Sequence, residues 1–169
     1  MSEDLKAELL TSFALTAGSS SVEIIFSFDT TGSMASCLGE VRSKVSETVT
    51  RLLKDIPKIR IGIIAHGDYC DDATSSRTIQ MLDFSDDVAT ICKFVNTVGS
   101  TGGGDAPEAY ELALQYARKK FSWSPDYSKA LVMIGDEVPH PPSYTTKKIN
   151  WKTETDKLSE MGVKIYGVR

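Results

Sequence analysis

The sequence predicts an α/β domain with a doubly wound, Rossmann-like and mainly parallel sheet, helices on both faces and one antiparallel edge strand. Three observations predict it. Apolar, β-branched runs alternate along the chain with stretches whose apolar residues recur every three or four positions. Most of these runs are nearly continuous, as expected of strands covered on both faces. Strict alternation of strand and helix favours parallel strands joined by crossover helices.

Five strands are predicted from the apolar runs. One of them, RTIQMLDF (77–84), alternates polar and apolar residues and is therefore assigned to the antiparallel edge. The four others are predicted as buried strands: VEIIFSF (22–28), IRIGIIAH (59–66), KALVMIGDE (129–137) and VKIYGV (163–168).

Four helices are predicted between these strands. The first spans about 32–56 and is stopped by Pro57, and the last spans about 145–161 and is closed by Gly162. The second runs through Val88 and Val98. The third carries a core-facing stripe at Tyr110, Leu114 and Ala117.

Residues 1–20 are predicted to be an N-terminal extension that precedes the domain. Residues 3–15 have a weak helical pattern, and the AGSSS stretch that follows is typical of a linker. The domain is predicted to span 21–169. The apolar stripe of the N-terminal extension consists of Leu5, Leu9, Leu10 and Phe13.

Composition excludes several functional classes. The chain has 169 residues, 41% of them hydrophobic, and a formal net charge of −4, which argues against a nucleic-acid-binding surface. No apolar run reaches the roughly 20 residues of a membrane span, and the acidic N-terminus differs from an export signal. The odd set Cys37, Cys70 and Cys92 has no CxxC spacing and is interpreted as reduced thiols in a cytoplasmic protein.

Polar side chains follow three of the predicted core elements. Asp29, Thr31 and Ser33 follow the first strand, Thr101 to Asp105 open the third helix, and Asp136 follows LVMIG. In an open parallel sheet these loops meet at the carboxyl edge of the strands. We expect a site there, with Asp29 at an exposed loop end.

The residue types predict a hard metal ion. Carboxylates and hydroxyls without clustered His or Cys suit Mg²⁺, with Mn²⁺ or Ca²⁺ as alternatives, far better than zinc or copper. His66 and His140 are interpreted as packing residues. Gly32 permits the tight turn that lets Thr31 and Ser33 face one point.

The segment DTTGSM (29–34) after an apolar strand resembles the DxSxS metal-site motif of von Willebrand factor A (VWA) domains. TGGGDAPEA (101–109) and VMIGDEVPH (132–140) resemble the family's second and third site loops. The resemblance extends from about residue 20 to the end. The sequences of these three segments are also similar to those of A domains attached to atypical α-kinases. It implies a metal-ion-dependent adhesion site. Because the family's sheet continues with further elements, it also implies a domain truncated at its C-terminal end, with an edge prone to association.

By position, the resemblance makes Asp29, Thr31 and Ser33 first-loop ligands and Asp136 the third-loop aspartate. The second loop offers Asp105, with Thr101 as its rival. Asp105 is equally suited to cap the third helix, with Glu108 completing a capping box. These alternatives stay open at the level of sequence.

The predicted function is a noncatalytic, metal-dependent protein-binding module, such as a regulatory or targeting domain of a larger intracellular protein. Its partner is expected to be a protein, with no nucleic acid, membrane or small-molecule substrate. Three aspartates, Asp29, Asp105 and Asp136, exceed the charge of one divalent ion, so water, a neutral carbonyl or a basic flank suits the site better than an acidic partner. Tyr69 and Tyr144 are expected to form part of the surface that contacts the partner.

The alternative function is catalytic. FSFDTTGS also resembles the nucleophile motif of haloacid-dehalogenase-like phosphatases, in which Asp29 would be phosphorylated in a magnesium-dependent phosphoryl transfer. Against it, Thr31 occupies the position of the acid in soluble phosphatases. Lys129 lies at the start of its strand, and TGGGDAPE has no place in that scheme. The glycine run also lacks the lysine of a phosphate-binding loop.

Overall fold

A computed structural model describes residues 21–74, 78–102 and 107–169, without the side chains of 72–74. The predicted N-terminal helix and linker within 1–20, and the candidate ligand Asp105, lie outside the described residues.

The structure confirms the predicted fold class. The described residues form one five-stranded sheet and four α-helices, which alternate along most of the chain. The strands are β1 (Val22–Asp29), β2 (Ile59–His66), β3 (Ile79–Ser85), β4 (Ser128–Ile134) and β5 (Val163–Val168). The helices are α1 (Leu38–Asp55), α2 (Val88–Thr97), α3 (Tyr110–Lys120) and α4 (Trp151–Glu160).

The sheet has the order β3-β2-β1-β4-β5, with β1 at its centre. β1 pairs in parallel with β2 and with β4, β4 pairs in parallel with β5, and the edge strand β3 is antiparallel to β2. Asp29 pairs with His66 at the carboxyl end of β1 and β2. This register brings the loops after β1, β2 and β4 to the same edge.

Helices cover both faces of the sheet, as predicted. On one face, α1 and α2 pack on a core that contains Ile24, Phe26 and Phe28 of β1. On the other face, α3 and α4 pack on a core that contains Ile25 and Leu131. Strand β1 is buried over its whole length because it lies between these two layers. None of the described helices is long and apolar enough to cross a membrane.

Two predicted helix starts are wrong. The segment Gly32–Met34 forms a short 3₁₀ turn, and α1 begins only at Leu38, because the loop is held by its contacts with neighbouring loops. The last helix begins at Trp151 rather than near residue 145. Just before it, Lys148 has a left-handed φ of 49°, which interrupts helical geometry.

The predicted capping box at the start of α3 is not formed. Glu108 lies before the helix, which begins at Tyr110, and the Glu108 N–H donates to the carbonyl of Val138 at 2.9 Å. A backbone bridge between Glu108 and Pro139 draws this segment toward the loop after β4. Glu108 therefore does not occupy the third helical position that a capping box requires.

Asn150 fixes the start of α4. Its side chain accepts a hydrogen bond from the N–H of Lys152 at 2.9 Å, as an N-cap residue does. We expect Asn150→Ala to lower the free energy of unfolding by about 1 kcal/mol in urea denaturation. Asn150→Asp keeps the acceptor and serves as the control. Equal loss in both variants would show that the cap does not determine the stability of this helix.

Candidate functional site

Asp29 anchors the first loop from a fully buried position. Its Oδ1 accepts hydrogen bonds from the Thr31 N–H at 2.8 Å and the Thr31 hydroxyl at 2.7 Å. Its Oδ2 accepts one from the Tyr110 hydroxyl at 2.9 Å. The expectation that Asp29 lies at an exposed loop end is therefore wrong, because Tyr110 of α3 and the turn after β1 enclose it.

A line of hydrogen-bonding side chains connects Asp29 to the loop after β4. The hydroxyl oxygens of Thr31 and Ser33 are 3.4 Å apart, and the Ser33 hydroxyl donates to Oδ1 of Asp136 at 3.1 Å. Thr31 is buried, whereas Ser33 is exposed and Asp136 partly so. The structure thus brings together four of the six side chains predicted for the site, along a line that runs from the interior to the surface.

The second loop is held against the first by Thr101. Its hydroxyl oxygen is 3.1 Å from that of Thr30, and its N–H donates to the carbonyl of Thr30 at 2.8 Å. Gly32 donates to the carbonyl of Gly102 at 3.2 Å, and a Cβ on Gly32 would lie 2.9 Å from that oxygen. Gly32 is thus required by the close approach of two loops, and Thr101 faces Thr30 rather than the line of Asp29, Thr31 and Ser33.

Glu108 is a site residue that sequence reasoning missed. It is 3% exposed, and its Oε2 is buried without a hydrogen-bond partner among the described residues. Burial and the charge of Asp29 raise the pKa of Glu108 to about 8, and a hydrogen bond with Thr31 opposes that rise. An orphaned carboxyl oxygen beside Asp29 and Thr31 indicates that this position is suited to a cation.

Tyr110 and His66 form the floor beneath Asp29. Burial and the charge of Asp29 raise the pKa of the Tyr110 hydroxyl, so this group stays a hydrogen-bond donor. Burial lowers the pKa of His66 to about 4, although Asp29 opposes the change. The neutral ring of His66 contacts Ser27 through Nδ1 at 3.1 Å and packs edge-on against Tyr110 at 4.6 Å. The floor is therefore uncharged at neutral pH.

A second polar cluster lies beside the site, under the loop after β4. His140 Nε2 is 2.5 Å from Oδ1 of Asp68, and the Tyr69 hydroxyl donates to Glu111 at 2.6 Å. The ring of Tyr144 stacks on His140 with centroids 3.7 Å apart, and Tyr144 is 44% exposed. Two tyrosines were expected at the surface that contacts the partner. Tyr144 is exposed enough to contact one, whereas Tyr69 is partly buried.

The donor set fits a hard cation rather than a soft one. Within the described ranges, no three side chains of His, Cys, Asp or Glu come together in a way that could hold a metal ion. The described site instead combines the carboxylates of Asp29 and Asp136 with the hydroxyls of Thr31 and Ser33. Oxygen ligands of this mixed kind are those that Mg²⁺ accepts while it keeps several waters.

Comparison with known proteins places the fold more firmly than the function. No protein-family model matches the chain. Over 144 residues the chain is 25% identical to the alpha-protein kinase vwkA of Dictyostelium discoideum, an alignment that covers 84% of this chain and 22% of that protein. The chain therefore corresponds to about a fifth of this relative.

Two solved structures share the fold. BatB from Bacteroides thetaiotaomicron superposes with a TM-score of 0.60 at 17% identity, covering 86% of this chain and 65% of that one. The pilus adhesin SpaC from Lactobacillus rhamnosus GG superposes with a TM-score of 0.67 at 13% identity, covering 89% of this chain and 24% of that one. These similarities are consistent with a VWA-like fold and, at such identities, concern the fold alone.

Proposed function

We propose that this chain is a noncatalytic module that binds a protein partner through a divalent metal ion, with Mg²⁺ as the preferred ion. The observation that carries the proposal is the line from Asp29 through Thr31 and Ser33 to Asp136, with the orphaned oxygen of Glu108 beside it. Hydroxyls supply oxygens without adding charge, so the carboxylates of Asp29 and Asp136 balance the charge of a divalent ion, which keeps a coordination position for a partner's oxygen.

Each residue has a distinct part in this proposal. Asp29 and Thr31 are buried and hold the inner side of the site, where Tyr110 and the Thr31 N–H keep the Asp29 carboxylate in place. Ser33 and Asp136 form the outer side, which faces solvent. A partner therefore reaches the site from the side of Ser33 and Asp136. Thr101 positions the second loop through Thr30.

The surface around the outer side suits a protein partner. Val138 is 59% exposed and Tyr144 is 44% exposed, and both lie on the loop that carries Asp136. Exposed apolar and aromatic groups near a polar centre are typical of interaction hot spots. Because Asp29 and Asp136 together balance the charge of a divalent ion, the site favours a partner that offers a neutral carbonyl or a basic flank over one rich in acids.

A role as a regulatory or targeting module within a larger protein is part of the proposal. The similarity to a protein named as an alpha-protein kinase, of which this chain spans 22%, supports it. The free thiols of Cys37, Cys70 and Cys92 favour a reducing, cytoplasmic location.

Phosphoryl transfer is the weaker alternative on structural grounds. Lys129, the lysine considered for it, lies at the start of β4 and pairs with Glu23 of β1, six residues before Asp29. At about 3.3 Å per residue this is roughly 20 Å from the candidate nucleophile. Its Nζ instead donates to the carbonyls of Pro125 and Met161.

The proposal is tested by calorimetric titration of the chain with MgCl₂, together with a search for turnover. We expect saturable binding of one ion, and binding at least tenfold weaker in Asp136→Ala, because that variant loses the outer carboxylate. No hydrolysis of an aryl phosphate is expected in either protein. Absence of Mg²⁺ and Mn²⁺ binding by the wild-type chain would refute the metal-dependent function.

A further inference from the structure

An apolar groove lies on the face of the sheet that carries α1 and α2. It has a volume of about 400 Å³ and lies between the first half of α1 and strands β4 and β5. Its walls are mostly apolar: Phe26, Met34, Val41, Val45, Val132, Ile134 and Val168. On this face α1 and α2 pack over β2 and β3, whereas the helix that packs on β5, α4, lies on the opposite face.

Apolar side chains of the sheet remain partly accessible in the groove. Ile134, Tyr166 and Val168 are only partly buried, although each packs against the core beneath α1. Charged residues, among them Glu40 and Lys44, stand at the rim. An apolar floor with a charged rim matches the surface that a single amphipathic helix covers.

Residues 3–15 of the same chain have the pattern that such a helix needs. Leu5, Leu9 and Phe13 recur at intervals of four and form one stripe, with Leu10 at its border. The opposite side carries Ala7 and Thr11. Thirteen helical residues span about 20 Å, close to the roughly 23 Å of the seven-residue strand β4.

The point where the chain enters the sheet allows this contact. The carbonyl of Ser21 accepts a hydrogen bond from the N–H of Ser128 at 3.1 Å, so the chain arrives beside the amino end of β4. Residues 16–20 therefore need to reach only from the amino end of β4 to the adjacent face of the sheet. A helix returning from there along β4 leads directly into the groove.

We propose that residues 3–15 form an amphipathic helix that docks, within the same molecule, in the groove between α1 and β4–β5. Its apolar stripe covers Val132, Ile134 and Val168. The helix completes the layer on this face and shields Cys37, which lines the groove. This inference does not rest on the metal-dependent function, although Asp136 also lines one end of the groove.

Alkylation of Cys37 tests the docking in the full 169-residue chain. In Leu9→Asp/Phe13→Asp the stripe is charged, and we expect Cys37 to react about tenfold faster than in wild type, because the groove is open more of the time. Cys92, on α2 and also partly exposed, is the internal reference and should keep its rate. The matched control Ala7→Asp/Thr11→Asp adds the same charge on the opposite side and should react like wild type.

Two further measurements keep the test decisive. Urea denaturation and circular dichroism must show that both double variants retain the folded sheet, so that faster alkylation reports on the groove. The rates are compared over a hundredfold range of protein concentration. Equal Cys37 rates in all three proteins overturn the proposal. Protection that appears only at high concentration also overturns it, because the occupant is then a second copy of the chain.

Discussion

We expect Asp29→Asn to abolish the rise in melting temperature that Mg²⁺ should give the wild-type chain. A ligand that binds only the folded state stabilises it by about 2.7 kcal/mol at a hundredfold excess over Kd. Asp29 is the buried carboxylate whose charge acts most strongly on Glu108, and its loss removes the inner negative ligand of the proposed site. The measurement is a thermal scan with and without MgCl₂.

Asn is the informative substitution because of the hydrogen bonds that Asp29 accepts. Asn retains an acceptor oxygen for the Thr31 N–H and hydroxyl, whereas Ala leaves these donors and the Tyr110 hydroxyl without their partner. Each buried donor left unpaired costs about 1–3 kcal/mol. The Ala variant would therefore mix loss of metal binding with loss of packing.

Asp126→Asn serves as the matched control for this experiment. It removes the same charge from an exposed position just before β4, at the opposite edge of the sheet, and should keep the full response to Mg²⁺. An unchanged magnesium shift in Asp29→Asn would exclude Asp29 as a ligand. Asp29-dependent hydrolysis of an aryl phosphate, or trapping of beryllofluoride, would overturn the noncatalytic function.

The sequence predicted the fold well because its signals are local. The core strands have continuous apolar runs, and the strand at 59–66 was predicted with the bounds that the structure gives. The first-loop residues and Asp136 were placed on one edge because the topology of a parallel sheet requires it. Their mutual contacts followed from that topology.

The remainder of the site depends on contacts between distant segments. Tyr110 fits a helical core stripe in the sequence, yet its hydroxyl binds Asp29, which is 81 positions away. Glu108 fits a capping box, but the backbone bridge to Pro139 moves it out of the helix. The sequence held one indication that Glu108 belongs to the site: it lies in TGGGDAPEA, the segment that resembles a site loop. It also lies four residues before Leu112, which is part of the core. The alternatives for the second loop, Asp105 and Thr101, stay predictions.

Replacing Glu108 with Gln should change how the stability of the chain depends on pH. In the folded chain the pKa of Glu108 is about 8, against 4.5 for its ordinary value, so between these pH values the folded state holds a proton that the unfolded state has lost. The stabilisation from this group is complete below pH 4.5 and is lost as the pH rises toward 8. Gln cannot ionise and does not have this loss.

Without Mg²⁺, Glu108→Gln should therefore match wild type near pH 5 and exceed it by about 1–2 kcal/mol near pH 8, as measured by urea denaturation. With Mg²⁺ the order should reverse, since wild type gains a carboxylate ligand when Glu108 releases its proton. Calorimetry in two buffers of different ionisation enthalpy should detect that proton for wild type and none for the variant. The same pH slope in both proteins would show that Glu108 is already ionised in the free chain. The orphaned oxygen would then lie beside Asp29 as a second fixed negative charge, and the strength of Mg²⁺ binding would be independent of pH in this range.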